Sequence, residues 1–169
     1  MIRLRTATID DLSTLEEWDK QQHVIDCDPD DDWNWENELR RFPAWREQLI
    51  AESDGRPIGF VQIINPAQEE SQYWGEISEG YRDIDIWIGK EHDLNKGYGA
   101  VMMKLALERC FAVPEVNTVL IDPLASNIRA IKFYERIGFV FIEDRRLGES
   151  DCKIYGINRN KFIETDPDN

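Results

Sequence analysis

The chain has 169 residues, and 34 acidic against 20 basic side chains leave a formal charge of −14. That length suits one domain with a sizeable core, and the acidity argues against nucleic acid or anionic membrane as the main partner, because phosphates repel such a surface. A cationic partner fits the charge, and so does plain solubility.

Ile2-Arg3-Leu4-Arg5-Thr6-Ala7 alternates and predicts a first strand. Thr8-Ile9-Asp10-Asp11 has the capping-box pattern with Asp at its fourth place. A helix should follow, with Ile9, Leu12, Leu15 and Trp18 on its apolar face. Residues 26–32 form an acidic loop, and a second helix is expected from about Trp33 towards Phe42, interrupted at Pro43. The alternating Asp26, Asp28, Asp30 and Asp32 invite calcium, but the glycine and distal Glu of an EF-hand are missing from their places. A solvated loop and a rim that attracts an amine both remain open, with Trp33 or Trp35 available for cation–π contact.

Gln48–Glu52 and Pro57–Ile64 predict a hairpin turning at Ser53-Asp54-Gly55-Arg56. Residues 66–80 form a polar loop holding Tyr73, Trp74 and Glu76, and a connection this long is often functional. The next strand, Asp83-Ile84-Asp85-Ile86-Trp87-Ile88, puts the isoleucines on one face and Asp83, Asp85 and Trp87 on the other. For Asp83 a solvent-facing edge and a functional carboxylate are both open.

Leu94-Asn95-Lys96-Gly97-Tyr98-Gly99-Ala100 then opens a helix running to about Phe111. The first turn of a helix has amides without intrahelical partners, and its dipole favours negative charge. The stretch therefore reads as a phosphate cradle with Lys96 adding charge, or as a tight turn into a packed helix. It is neither a Walker loop nor a full dinucleotide fingerprint. A short strand follows at Asn117–Asp122, then a helix from Asn127 to Gly138 with Ser126 as candidate cap. Arg129 and Lys132 lie close together on that helix and can face an anion. Two final strands, Phe139–Glu143 and Lys153–Ile157, flank a turn at Gly148. The acidic end, residues 163–169, reads as disordered after a single domain over residues 1–162.

Cys27, Cys110 and Cys152 form no C-x-x-C pair, so neither a disulfide framework nor a zinc site is expected. His23 and His92 are far apart in sequence, and no metal is expected. The N-terminus has no signal-peptide pattern, and no apolar run is long enough to span a bilayer. The expectation is a cytoplasmic protein that uses no membrane.

Asn127-x-x-Ala130-x-x-x-Tyr134-x-x-x-Gly138-Phe139 stands one helix and one strand after the glycine turn. That combination resembles the GCN5-related N-acetyltransferase superfamily over nearly the whole chain. Within it the chain is most similar to the aminoglycoside 6′-N-acetyltransferases, through Pro57–Gln62, Ile84-Asp85, Leu94-x-Lys96-Gly97-x-Gly99, Pro114–Val116 and Asp122-Pro123-x-x-Ser126-Asn127-x-Arg129-Ala130-Ile131.

The resemblance implies an α/β (α+β) fold with a mixed, mostly antiparallel sheet flanked by helices. It also implies acetyl-CoA as donor and a small cationic amine as acceptor, with the enzyme a monomer or homodimer. The pyrophosphate would sit on amides of Asn95, Lys96, Gly97, Tyr98, Gly99 and Ala100. Backbone groups of Ile86, Trp87 and Ile88 would hold the pantetheine arm. Asn127, Arg129, Ala130 and Lys132 complete the expected cofactor set, and Tyr134 would protonate the leaving thiolate. Asp85 matches an acidic position that contacts the acceptor amine. Trp33, Trp35, Trp74, Glu76 and Asp83 are the expected acceptor residues. Ser71 stands where those relatives carry a second acid before the paired aromatics, and the N-terminal loop is more acidic than theirs. Acylation of a protein or siderophore precursor, and a non-catalytic acyl-CoA sensor, are the alternatives.

Overall fold

A computed structural model describes residues 1–165. Its strands are β1 (Ile2–Thr6), β2 (Arg46–Ser53), β3 (Arg56–Ile64), β4 (Tyr81–Ile88), β5 (Thr118–Ile121), β6 (Val140–Leu147) and β7 (Ser150–Asn158). The helices are α1 (Leu12–Trp18), α2 (Gln22–Ile25), α3 (Trp35–Glu38), α4 (Tyr98–Phe111), α5 (Ile128–Arg136) and α6 (Arg159–Thr165). Short 3-10 turns occupy Ile9–Asp11 and Glu91–Asp93. The strands form one seven-stranded sheet in the order β1-β2-β3-β4-β5-β7-β6. The pairs β1/β2, β5/β7 and β6/β7 are antiparallel, and β4/β5 is parallel, which gives the mixed sheet expected. Among the described residues no helix is long and apolar enough to cross a membrane.

The chain divides into two compact units, residues 1–63 with 85–106, and residues 64–84 with those from 107 on. In the first unit, the capping box of Thr8 and Asp11 forms as expected. Asp11 also accepts both terminal nitrogens of Arg5, at 2.8 and 2.7 Å, tying β1 to the turn beyond it. Leu15, Trp18, Trp35, Ile50, Phe60 and Trp87 share one core. Gly89 ends β4 against Trp18, where a Cβ would stand 2.1 Å from the indole ring, so a side chain there would displace the core.

In the second unit, β5 pairs with β7 from Thr118–Asn158 to Ile121–Tyr155. Trp74, Leu120, Cys152 and Ile154 form a separate core.

Three expectations are corrected, and one element is new. The helix near Trp33 is only the single turn α3, and the chain beyond it closes in tighter three-residue turns, the Arg41 amide bonding back to the Glu38 carbonyl at 3.1 Å while Arg46 also donates to that carbonyl. The short helix α2 was not anticipated. Asn127, not Ser126, caps α5, its side chain accepting the Ala130 amide at 3.2 Å. The tail also begins later than expected, since residues 163–165 complete α6. Asn158 accepts the Lys161 amide at 2.8 Å, and Phe162 packs on Phe111 with centroids 5.3 Å apart, which anchors that helix. The rest of the expected tail, residues 166–169, lies outside the described residues.

Candidate functional site

The glycine turn belongs to the first unit. Leu94 is extended, while Asn95 and Gly97 are left-handed at φ 63° and 81°. Left-handed residues spaced through a turn aim successive amides at one point and make an anion-binding concavity. A helix of 14 residues, α4, begins directly after it. Asn tolerates the left-handed region better than most residues, and a Cβ at Gly97 would meet nothing within 4 Å, so conformation rather than space selects glycine there. Lys96 is held in place, its Nζ 3.0 Å from Oδ1 of Asp93.

Asp93 has no exposed surface, and Arg56 grips it with two nitrogens, at 2.7 and 3.1 Å. These donors hold the Asp93 carboxyl down at about 2, the Arg56 hydrogen bond first, against the opposing effect of burial. Sequence reading missed both residues. The signal present was the three-residue spacing from Asp93 to Lys96, whereas Arg56 is distant in sequence.

Asp85 is half-buried on β4. Gln62 on β3 donates to its Oδ2 at 2.9 Å, and Gln48 on β2 donates to Gln62 at 3.0 Å. The three strands are neighbours in the sheet, so residues far apart in sequence form one polar row. Both glutamines are buried. The row fixes the Asp85 carboxylate, and neither glutamine was anticipated.

Nearby on the same strand, Trp87 packs against Phe60 at 4.6 Å and Trp33 at 5.5 Å. Trp33 lies parallel on Trp35, 4.8 Å away. Trp35 is 3% exposed and donates its indole N–H to Asp19 at 2.6 Å. It is therefore a core residue, because its ring faces are occupied, and the expected rim position falls to the half-buried Trp33. In the acidic loop, desolvation raises the Asp31 carboxyl to about 6, and the charges of Asp28, Asp19 and Asp32 add to the effect. Among the strand groups expected to hold a donor, the Ile88 carbonyl already faces His23 Nε2 at 2.7 Å.

The second unit supplies a buried acid. Asp83 has no exposed surface, which overturns the solvent-edge reading. The Tyr73 hydroxyl and the Trp74 indole, the latter at 3.0 Å, both donate to its Oδ2. Its Oδ1 is buried with no hydrogen-bond partner. A carboxylate oxygen of Asp122 comes within 4.8 Å of the same side chain. Burial is the main cause that raises the Asp83 carboxyl to about 6, and the two donors oppose it.

Trp74 is 2% exposed, with Arg145 stacked 5.5 Å above its ring. That face is filled, so Trp74 orients Asp83 rather than meeting an acceptor cation directly. Glu76 is exposed, as are Arg129 and Lys132, and Asn127 is half-buried at the head of α5. Tyr134 is buried against Phe133 and Phe139 at 5.3 and 5.8 Å.

Chemically, the first unit offers an amide-lined, cation-backed turn and a fixed carboxylate. The second offers a buried acid held only by neutral donors, and a phenol.

The profile of the Acetyltransferase (GNAT) domain matches residues 8–147. Aminoglycoside N(6')-acetyltransferase type 1 of Klebsiella pneumoniae, and likewise that of Serratia marcescens, is 30% identical over 152 residues, covering 82% of this chain and 73% of the relative. A solved structure of aminoglycoside acetyltransferase AAC(6')-Ib in complex with coenzyme A and kanamycin matches at TM-score 0.86 and 27% identity, over 98% of this chain and 99% of that one. Spermidine N-acetyltransferase from Vibrio cholerae, in complex with CoA and spermine, shares the fold at TM-score 0.74 and 18% identity, over 96% of this chain and 98% of that one. The chain belongs to the GNAT acetyltransferase family.

Proposed function

We propose that this acetyltransferase moves the acetyl group of acetyl-CoA to a primary amine of a small cationic acceptor, an aminoglycoside or a polyamine. The observation that carries the reading is the pairing of chemistries along one stretch of chain. A carboxylate fixed by Gln62 stands on β4, and the same stretch runs on into the left-handed anion turn at Asn95 and Gly97. Kanamycin, bound together with coenzyme A in a related structure, is a polycation. A chain with formal charge −14 attracts that class of molecule.

In this reading the amides of residues 95–100 hold the donor's pyrophosphate. Backbone groups of Ile86, Trp87 and Ile88 hold its pantetheine arm, with the Ile88 carbonyl already engaged by His23. Asn127, Arg129, Ala130 and Lys132 serve the same donor from α5. Asp85 binds the acceptor's ammonium, and the proton leaves through Asp85 or a water, which frees the nitrogen lone pair. That nitrogen attacks the thioester carbonyl carbon. The carbon–sulfur bond breaks, Tyr134 supplies the proton to the departing thiolate, and the second proton shed by the acylated nitrogen passes through water and restores Tyr134. Positioning of two bound reactants provides much of the acceleration. Asp83, Glu76 and Trp33 belong to the acceptor side. No metal takes part, and the reaction is placed in the cytoplasm.

The test is release of CoA thiol with a panel of aminoglycosides and linear polyamines, with the acetylated product identified by mass. Turnover with at least one polycation is expected. Binding of acetyl-CoA with no transfer to any cationic amine would defeat the reading in favour of a sensor.

A further inference from the structure

We infer that Arg56 is a phosphate-binding residue for the acyl donor, and that Asp93 is the positioning residue that aims it, together with Lys96, at the anion turn. The inference rests on the donor assignment above.

The arrangement has more positive charge than a structural tie requires. One cation suffices to neutralise one buried carboxylate. Asp93, with no exposed surface, instead gathers two full cations, Arg56 at 2.7 and 3.1 Å and Lys96 at 3.0 Å. His92 Nε2 stands 3.6 Å from the same carboxylate. Arg56 and Lys96 are 49% and 47% exposed, so each presents its outer side to solvent while the inner side is pinned. With Asp93 ionised, the trio carries a surplus of one positive charge in a chain whose overall charge is −14. Two like charges drawn together repel, and an arriving anion relieves that repulsion.

The surplus also lies in the right place. Asp93 ends the 3-10 turn that leads into Leu94, and Lys96 is inside the turn itself. Arg56 interacts with Tyr98, the first residue of α4, as well as with Asp93. The guanidinium is therefore tied to the residues that lead into and open α4. A planar fork already gripped on one side has lost its conformational freedom before the ligand arrives, which favours binding. The chemistry it fits is a phosphate or diphosphate, and within an acyl-CoA those groups lie on the nucleotide half.

The test separates the phosphates from the thioester. The parent enzyme, Arg56→Gln and Arg56→Lys are assayed with acetyl-CoA and with S-acetyl-pantetheine, which carries the same thioester and no phosphate. Binding of CoA and of pantetheine is followed in parallel by calorimetry. Arg56→Gln is expected to raise KM for acetyl-CoA about 10-fold, the scale of one charge-assisted hydrogen bond. Its kcat should stay within about 2-fold, and kcat/KM for S-acetyl-pantetheine should not change. Arg56→Lys keeps the charge and should recover part of the loss. Added salt should narrow the gap between parent and Arg56→Gln. Equal loss on both donors marks Arg56 as structural and overturns the inference, as does no loss on either. A parent enzyme that binds no CoA at all defeats the donor assignment instead.

Discussion

Asp93 and Asp83 are both fully buried aspartates, yet the chain treats them oppositely. Asp93, in the unit that carries the glycine turn, is clamped by Arg56 and Lys96 and held at about 2. Asp83, in the other unit, meets a phenol and an indole, keeps one orphaned oxygen, and rises to about 6. Burial is common to both, so the partners decide the outcome. An acid with its cations built in is finished as structure, and it passes positive charge to whatever binds beside it. An acid given only neutral donors is left waiting for a cation. On this reading the first serves the anionic donor and the second serves the cationic acceptor.

The largest expected effect tests the acceptor side at Asp85. Asp85→Asn should lower kcat by about 10²–10⁴-fold, the usual range for a positioned proton acceptor. Calorimetry should find acetyl-CoA affinity unchanged. Loss of donor binding would show that the two chemistries are not separable in the way the two aspartates suggest. Gln62→Leu probes the same carboxylate more gently, since it removes the 2.9 Å hydrogen bond that orients it. A rise in the acceptor's KM is expected, with that of acetyl-CoA unmoved.

The donor side is tested next by Gly97→Ala. The new methyl group would touch nothing within 4 Å, so any penalty comes from holding φ 81° in an L-residue. That costs about 1–2 kcal/mol, and if the turn relaxes instead, KM for acetyl-CoA rises about 10-fold. An unchanged KM together with an unchanged Tm, the sign that the turn has relaxed without strain, would remove the turn from donor binding. Asp93→Asn acts on stability first. Its two partners are half-exposed, so the loss is discounted to about 1 kcal/mol, a fall in Tm of a few degrees. Because the folded carboxyl is depressed to about 2, the parent has this stabilisation above the ordinary carboxylate range and loses it only as pH falls towards 2.

Much of this was legible in local sequence. Alternation in Ile84–Ile88 marked the strand, and the glycines at 97 and 99 marked the turn. The Asn127 to Phe139 spacing marked the second half of the fold. What stayed hidden depends on pairing across the sheet. Gln62 reaches Asp85, and Arg56 reaches Asp93, only once β3 and β4 are neighbours. The tryptophans misled for a related reason. An indole on a polar stretch looks like a surface platform, and nothing local says that Trp35 will be covered by Trp33, or Trp74 by Arg145. The helix expected from Trp33 is longer than α3 because the chain after Glu38 tightens into three-residue turns that the apolar pattern does not signal.

The smallest effect is the most direct test of the contrast, and it uses Asp83→Asn. With its carboxyl raised to about 6, the folded protein keeps a proton that the unfolded chain gives up near 3.8. Unfolding free energy therefore falls as pH rises between those values, and the penalty is fully present above about 6. Asn cannot ionise, so the variant avoids that penalty. Its Tm relative to the parent should rise by a few degrees from pH 4 to pH 7.5, while the other acids titrate alike in both proteins and cancel. A relative Tm that does not change with pH would mean that Asp83 is not the strained group. The same pair of proteins then reports on the acceptor. At pH 7.5 a saturating polyamine should stabilise the parent more than Asp83→Asn, because only the parent has a buried charge for the ammonium to neutralise. Equal stabilisation would leave Asp83 a strained core residue and return acceptor binding to Asp85 and the acidic loop.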